Sequence, residues 1–345
     1  MERRQIIRSG FQRHRRKSQL WLILAVCFLS GCGASTTSSS GSGDRTSTDE
    51  GGRIDVVATT GMVADLVRHV GGDRVNVKQI MGSGVDPHLY KATRDDVQKI
   101  MQADLVFYSG LMLEGKMADV FVKIARSKPV YAVTELIPEE QLVEPDGAQG
   151  HLDPHVWMDV AAWSKCIDVV ENALSDHAPQ LASEFQIRAA EYRTQLEKLH
   201  EYGQKSIATI PESSRILITS HDAFNYFGRA YSLEVVGVQG LSTESEAGLQ
   251  RINELVDLIV DRKVKAVFVE SSVSRKNIMA LVEGAQSKGH SVEIGGELYS
   301  DAMGPDGSYE GTYIGMLDHN ITTVTEALGG TVPEGGFQNQ QGSGE

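Results

Sequence analysis

Residues 53–80 read RIDVVATTGMVADLVRHVGGDRVNVKQI. Two β-branched runs, Ile54–Ala58 and Val75–Ile80, flank a stretch from Gly61 to Val70 with an amphipathic helical pattern. Strand, helix and strand at this spacing form a βαβ unit, the building block of a parallel sheet. The alternation continues with strands at Asp104–Tyr108 and Pro129–Val133 and helices at Thr93–Gln102 and Glu114–Arg126. A second series follows, with strands at Arg215–Thr219, Leu233–Val238, Val264–Glu270 and Ser291–Ile294. Its helices fall near Asp222–Ala230, Ser245–Asp261, Ser274–Ser287 and Thr312–Leu328. The expected fold class is therefore α/β, with two Rossmann-like lobes of parallel sheet flanked by helices.

Between the two series, Leu181, Phe185, Tyr192, Leu196 and Leu199 recur at helical spacing among Glu184, Arg188, Glu191, Arg193, Glu197 and Lys198. No proline or glycine interrupts this pattern before Gly203. A helix of about 25 residues is about 38 Å long, enough to run the length of a small two-lobed protein. A flexible linker would be rich in Gly and Ser; this one predicts a stiff connection and lobes that move little. The expected organisation is a first lobe over 53–178, a linking helix over 179–210 and a second lobe over 211–330. A disordered tail is expected over 331–345.

The first 31 residues read as an export signal. Arg3, Arg4, Arg8, Arg13, Arg15, Arg16 and Lys17 precede an apolar run from Leu20 to Ser30, too short to span a bilayer. The run ends in Leu29-Ser30-Gly31-Cys32, similar to a bacterial lipobox, which makes Cys32 the lipidation site. More than one acyl chain is needed for stable anchoring, because each buried methylene contributes only about 0.8 kcal/mol. Residues 33–52 are mostly Gly, Ser and Thr and are expected to form a disordered tether. The predicted location is outside the cytoplasm, lipid-anchored to the membrane. The third cysteine, Cys166, is then alone in a helical pattern and serves as a small buried hydrophobe. The chain carries a net charge of −13, and about −19 from Cys32 onward, which argues against nucleic acid as a partner.

Two short phrases share one local design, Asp86-Pro87-His88 and Asp153-Pro154-His155. Farther on come Thr219-Ser220-His221-Asp222 and Ser300-Asp301-Ala302-Met303-Gly304. His88, His155, His221 and Asp301 each sit near a strand end or in a loop between elements. Ligands of open α/β sheets bind outside the carboxyl ends of the strands. Two candidates come from each lobe, so they are placed to close around a divalent transition metal in the cleft between lobes. Any one of these histidines alone would more often be a surface or hydrogen-bonded residue; the conjunction carries the assignment. His151 shares the i, i+4 spacing with His155, but Pro154 excludes a helix there, and it reads as loop. Gly110-Leu111-Met112-Leu113-Glu114-Gly115-Lys116-Met117 nearly matches a phosphate-binding loop, yet Met117 stands where Ser or Thr should hold magnesium.

These phrases, with Asp153-Pro154-His155-Val156-Trp157-Met158-Asp159, Ser220-His221-Asp222-Ala223-Phe224-Asn225-Tyr226-Phe227, Phe268-Val269-Glu270-Ser271-Ser272 and Glu310-Gly311-Thr312-Tyr313, resemble a known family in order and spacing. They are similar to the zinc- and manganese-binding lipoproteins of the cluster A-I solute-binding proteins, TroA-like branch. The resemblance implies no enzyme. It implies a monomer that captures Zn²⁺ or Mn²⁺ as cargo and hands it to the membrane permease of an ABC importer. It carries the metal ligands onto His88, His155, His221 and Asp301. Two departures stand out. Ile137–Gly150 lacks the histidines of a zinc-dedicated loop, and His221 stands where manganese-dedicated members often have Glu. Imidazole suits zinc, so this third nitrogen shifts the balance that way. Asp86, Asp153, Asp222 and Glu270 are candidate acceptors for the ring nitrogens. Affinity is expected to fall as pH drops through about 6–6.5, where ordinary histidines protonate. The alternatives are an adhesin-type surface-binding lipoprotein and a zinc hydrolase, which would need an open coordination position and a placed general base.

Overall fold

The computed structural model describes residues 52–145 and 150–342. The expected export signal, Cys32 and nearly all of the tether lie outside the described residues. The first lobe runs β1 (Ile54–Ala58), α1 (Gly61–Gly71), β2 (Val75–Gln79), α2 (Arg94–Gln102), β3 (Leu105–Tyr108), α3 (Ala118–Ile124), β4 (Val130–Ala132), α4 (Val160–Trp163) and α5 (Cys166–His177). Then comes the long helix α6 (Ala182–Ile207). The second lobe holds β5 (Ile216–Thr219), α7 (Asn225–Tyr231), β6 (Glu234–Gly237), α8 (Leu249–Asp261), β7 (Ala266–Glu270), α9 (Lys276–Ser287), β8 (Glu293–Leu298), α10 (Tyr313–Ala327) and α11 (Gly336–Gly342). The first sheet is parallel in the order β2-β1-β3-β4. In the second lobe the parallel ladders are β5–β6 and β7–β8, with β5 lying beside β7.

Alternation along the strands sorts the side chains into three cores. Ile54, Val56, Ala58, Leu105, Phe107, Leu217, Ala266 and Phe268 face a continuous central core that contains α1, α5, α6, α7 and α10. Val57 and Val106 face an outer core under α2 and α3. Ile216, Ile218, Val267 and Val269 face a second outer core under α8 and α9. The period of two in a strand produces this two-sided burial. Both lobes thus share one apolar layer, with α6 inside it. Its buried stripe of Phe185, Ala189, Tyr192, Leu196, Leu199, Tyr202 and Ile207 packs against α1 and α5 of the first lobe and α7 and α10 of the second. Gly203 is required where α6 crosses the second lobe: an added Cβ would lie 2.8 Å from the Tyr231 ring and 3.0 Å from Ile321.

Several element bounds differ from the sequence expectation, and two of the differences bear on packing. β8 continues through Gly295 and Gly296 to Leu298, whereas a glycine pair reads as a strand end. The glycines are used for close approach: a Cβ on Gly295 would stand 2.7 Å from Ala327, and one on Gly296 2.4 Å from Thr323, both on α10. The tail expected to be disordered carries α11, with Phe337 buried against Tyr202. Asp318 on α10 accepts from the Phe337 and Gln338 amides, at 2.9 and 3.2 Å, and so caps that helix. No described helix is long and apolar enough to cross a membrane.

A buried carboxylate pins the three parts together. Asp65 on α1 accepts from the Tyr192 hydroxyl of α6 at 2.5 Å and from the Tyr313 amide at the start of α10 at 3.2 Å. His69, one turn along α1, stands 3.1 Å from Asp65 and stacks on Tyr192 with centroids 3.9 Å apart. Burial opposes charge on both groups. Hydrogen bonding to His69 and its charge still hold the Asp65 carboxyl below its ordinary range, and Asp65 raises His69 above 6.5. Asp65→Ala leaves the Tyr192 hydroxyl and the Tyr313 amide without their acceptor and is expected to cost about 3 kcal/mol in urea unfolding. His69→Phe keeps the stack and removes the proton. Because the folded pKa of His69 is raised, its contribution is full below about pH 6.5 and is lost as pH rises through the folded value. Melting temperatures should therefore show the parent's advantage over His69→Phe at pH 5–6 and little at pH 9. The gap should stay within about 1 kcal/mol, since the ring is 33% exposed and screened.

Candidate metal centre

All four sequence-selected side chains meet. His88 lies on the loop after β2, and His155 on the loop that enters the short turn Val156–Met158 before α4. His221 is two residues past β5, and Asp301 three residues past β8. One nitrogen or oxygen from each lies within 4.8 Å of the others, and all four residues are buried. His88 Nε2 and His155 Nε2 are 3.2 Å apart. Asp301 Oδ1 is 3.4 Å from His155 Nε2, and Asp301 Oδ2 is 3.3 Å from His221 Nε2. Zinc–nitrogen bonds of roughly 2.0–2.1 Å in a tetrahedron put neighbouring donors about 3.3–3.4 Å apart. Three of the gaps, at 3.2, 3.3 and 3.4 Å, are near that edge, and all lie within 4.8 Å.

The nearest polar neighbours of the Asp301 oxygens are the His155 and His221 rings themselves. His221 Nε2 and both oxygens of Asp301 are buried with no hydrogen-bond partner. A buried carboxylate without well-aligned donors is costly, and a cation placed between these groups would offset that cost. Both carboxylate oxygens border the gap, so one or two of them could reach a cation there.

The turns that carry the histidines follow the repeated phrase. Asp86 Oδ1 accepts from the His88 amide and Asp153 Oδ1 from the His155 amide, each at 2.8 Å. Asp153 Oδ1 also takes His155 Nδ1 at 2.7 Å. Glu270 does the same for His221 from a distant strand: Oε1 accepts the His221 amide at 2.8 Å and Oε2 faces Nδ1 at 2.5 Å. A proton held on Nδ1 leaves the Nε2 lone pair toward the gap. Of the four acceptors anticipated, Asp153 and Glu270 orient rings, Asp86 orients backbone, and Asp222 lines the cavity outside the site. Sequence reasoning did not single out Trp157, whose indole Nε1 donates to the Ser300 carbonyl at 2.8 Å and fixes the Asp301 loop. Tyr313 Oη closes that arrangement by donating to the Trp157 carbonyl at 2.7 Å. These partners lie 143 and 156 residues apart, and no local pattern signals them.

The rings do not share one protonation range. Burial pushes His88 down to about 4, with Asp301 opposing and the neighbouring imidazoles adding to the fall. Burial also disfavours charge on His155, but Asp153 and Asp301 outweigh it and raise the ring to about 9. Asp301 and Glu270 likewise raise His221, and the imidazoles hold Asp301 well below the carboxylate range despite its burial. The surroundings thus move the rings to both sides of the 6–6.5 window of ordinary histidines.

The near-match to a phosphate loop resolves differently. Gly110, Leu111 and Met112 all take positive φ after β3. The amides there are filled from within: Glu114, 3% exposed, accepts from Ser109 N at 2.8 Å, Gly110 N at 3.3 Å and the Thr59 hydroxyl at 2.6 Å. A carboxylate of the chain itself occupies the place a phosphate would take.

Known proteins show the same architecture. The family model described as "ZnuA: Zinc-uptake complex component A periplasmic" matches residues 56–327. The manganese-binding lipoprotein MntA of Bacillus subtilis is 50% identical over 307 residues, 89% of this chain and 97% of that protein. The solved structure of the periplasmic zinc-binding protein TroA from Treponema pallidum superposes with a TM-score of 0.78 at 47% identity, covering 80% of this chain and 99% of that one. Fe(III)-bound YtgA from Chlamydia trachomatis gives a TM-score of 0.74 at 28% identity over 81% of this chain and all of that one. With the match running from β1 to the end of α10, the chain belongs to the family of zinc-uptake complex component A, with its two lobes and long connecting helix.

Proposed function

We propose that this protein is the solute-binding component of an ABC importer and that His88, His155, His221 and Asp301 hold its cargo, a divalent transition metal. The observation that carries this is the buried gap between three imidazoles and a carboxylate whose oxygens have no other partner. Relatives named for manganese and for zinc fall on either side of the cargo question. The donor set favours zinc: three nitrogens and one carboxylate suit a four-coordinate cation, and affinity rises from manganese to zinc in such sites. With both Asp301 oxygens facing the gap, a larger, higher-coordinate ion such as manganese is also admitted. A hydrolase would need an open coordination position and a placed base; here two of the nearby carboxylates are spent on ring nitrogens.

The domain reading accompanies this function. An export signal over 1–31 leaves a lipidated Cys32 and a tether over 32–52, which holds the lobes at 53–178 and 211–330 near the membrane permease. One protein molecule binds one cation, and a monomer suffices because both walls of the site come from one chain.

Titration of metal-free protein with zinc and with manganese, followed by calorimetry, tests the assignment. Zinc should bind at one site per chain and displace manganese. His221→Ala should lower zinc affinity by more than about a hundredfold with the melting transition kept; unchanged affinity refutes the ligand set. Glu270→Gln keeps the shape of the carboxylate and removes its charge. It should cost roughly 10- to 100-fold in affinity, as loss of a partner behind a metal-bound histidine does.

A further inference from the structure

One loop of the second lobe reaches across to the turn that carries His88. The loop Gly240–Ser245 is rooted on both sides of His221: Gln239 N donates to the Ser220 carbonyl at 3.0 Å, and Asp222 N donates to the Gly240 carbonyl at 3.3 Å. The Gln239 side chain, itself buried, steadies the loop by donating to the Ser245 carbonyl at 3.1 Å. At its far end the Thr243 hydroxyl donates to Asp86 Oδ2 at 2.5 Å. The other oxygen of Asp86 accepts the His88 and Leu89 amides, at 2.8 and 3.4 Å. Beside it Glu244 pairs with Lys116 of the first lobe at 3.0 Å. Hydrogen bonds at both ends of this loop therefore connect the backbone around His221 to the backbone of His88 without passing through the metal gap.

His88 is also where the site is thinnest. It is 6% exposed, against 0% for His155 and His221 and 1% for Asp301. A cavity of about 790 Å³ lies elsewhere, against α6 and the tail; the one that reaches His88 is about 730 Å³ and is lined also by Met112, His151, Asp222, Leu241 and Ser242. Of the four ligands, His88 is the one that lines this large cavity, beside the root of the loop. Resting on the metal reading above, we propose that the Gly240–Ser245 loop is a latch, and that Thr243, through Asp86, positions His88 and sets the rate at which the cation leaves. Thr243 touches neither cation nor ligand ring; it is a positioning residue. The Glu244–Lys116 pair is partly solvent-exposed and contributes little by comparison.

The test is zinc release from the loaded full-length chain into an excess of a chromogenic chelator, followed by stopped flow. Thr243→Val keeps the side-chain shape and loses the donor. A hydrogen bond to a charged acceptor corresponds to about a ten- to hundredfold change in rate when it holds only the closed state. Thr243→Val is expected to release zinc faster by about that factor, with the association rate within about threefold of the parent. Thr243→Ser restores the hydroxyl and should return release to within about threefold of the parent. A parent that retains zinc while Thr243→Val releases it at the parental rate overturns the latch and leaves the metal site standing. So does a Thr243→Ser variant as fast as Thr243→Val. A parent that retains no zinc overturns both.

Discussion

A cation held by two side chains from each of two lobes requires those lobes to keep their spacing to a few tenths of an ångström. Nitrogen and oxygen donors tolerate little more before a bond is lost. The fold meets this by giving both lobes one central core rather than two separate ones. α6 is not a tether between finished domains; its buried stripe is part of the core of each. Polar ties add direction to this packing. Asp65 joins α1, α6 and α10, Trp157 Nε1 reaches the Ser300 carbonyl, and Asn225 and Tyr226 of the second lobe bond to Asp153 beside His155. Arg229 adds a pair with Asp159 at the start of α4. Rotation of one lobe against the other would break buried bonds at several points together, each costly to leave unmade. These ties favour local motion of loops over rotation of the lobes.

The sequence made some of this legible for identifiable reasons. The turn that presents His88 and the one that presents His155 are local: an aspartate accepts the amide two residues on, and proline fixes the residue between. Such a device is visible as three letters. The strands of the first lobe were readable because alternate residues face different cores, and α6 because its apolar positions follow one face for 26 residues. Glu270 belongs to the same functional unit as His221 but lies 49 residues away, so sequence could nominate it without assigning its partner. β8 was cut short at Gly295 because a glycine's usual meaning in a strand is weakness, while here it clears space for α10. α11 was missed because its seven residues contain two glycines and little periodicity; Asp318 supplies the cap from α10. Contacts that depend on the assembled fold, such as Thr243 to Asp86 across 157 residues, leave no mark in local composition.

Opposed charges are gathered in this buried site. Asp153, Glu270 and Asp301 are buried around two imidazoles, and water is excluded from all of them. Burial alone would strip protons from both rings. The carboxylates outweigh that for His155 and His221 and raise both, while at His88 burial dominates over Asp301 and lowers the ring to about 4. A metal-bound imidazole must give up the proton on its coordinating nitrogen, so binding a cation here would release protons. The four side chains already converge, so little conformational entropy would be lost on binding. His88, lowered by burial and the most exposed of the four, is held by the Asp86 turn, which Thr243 in turn holds from the second lobe.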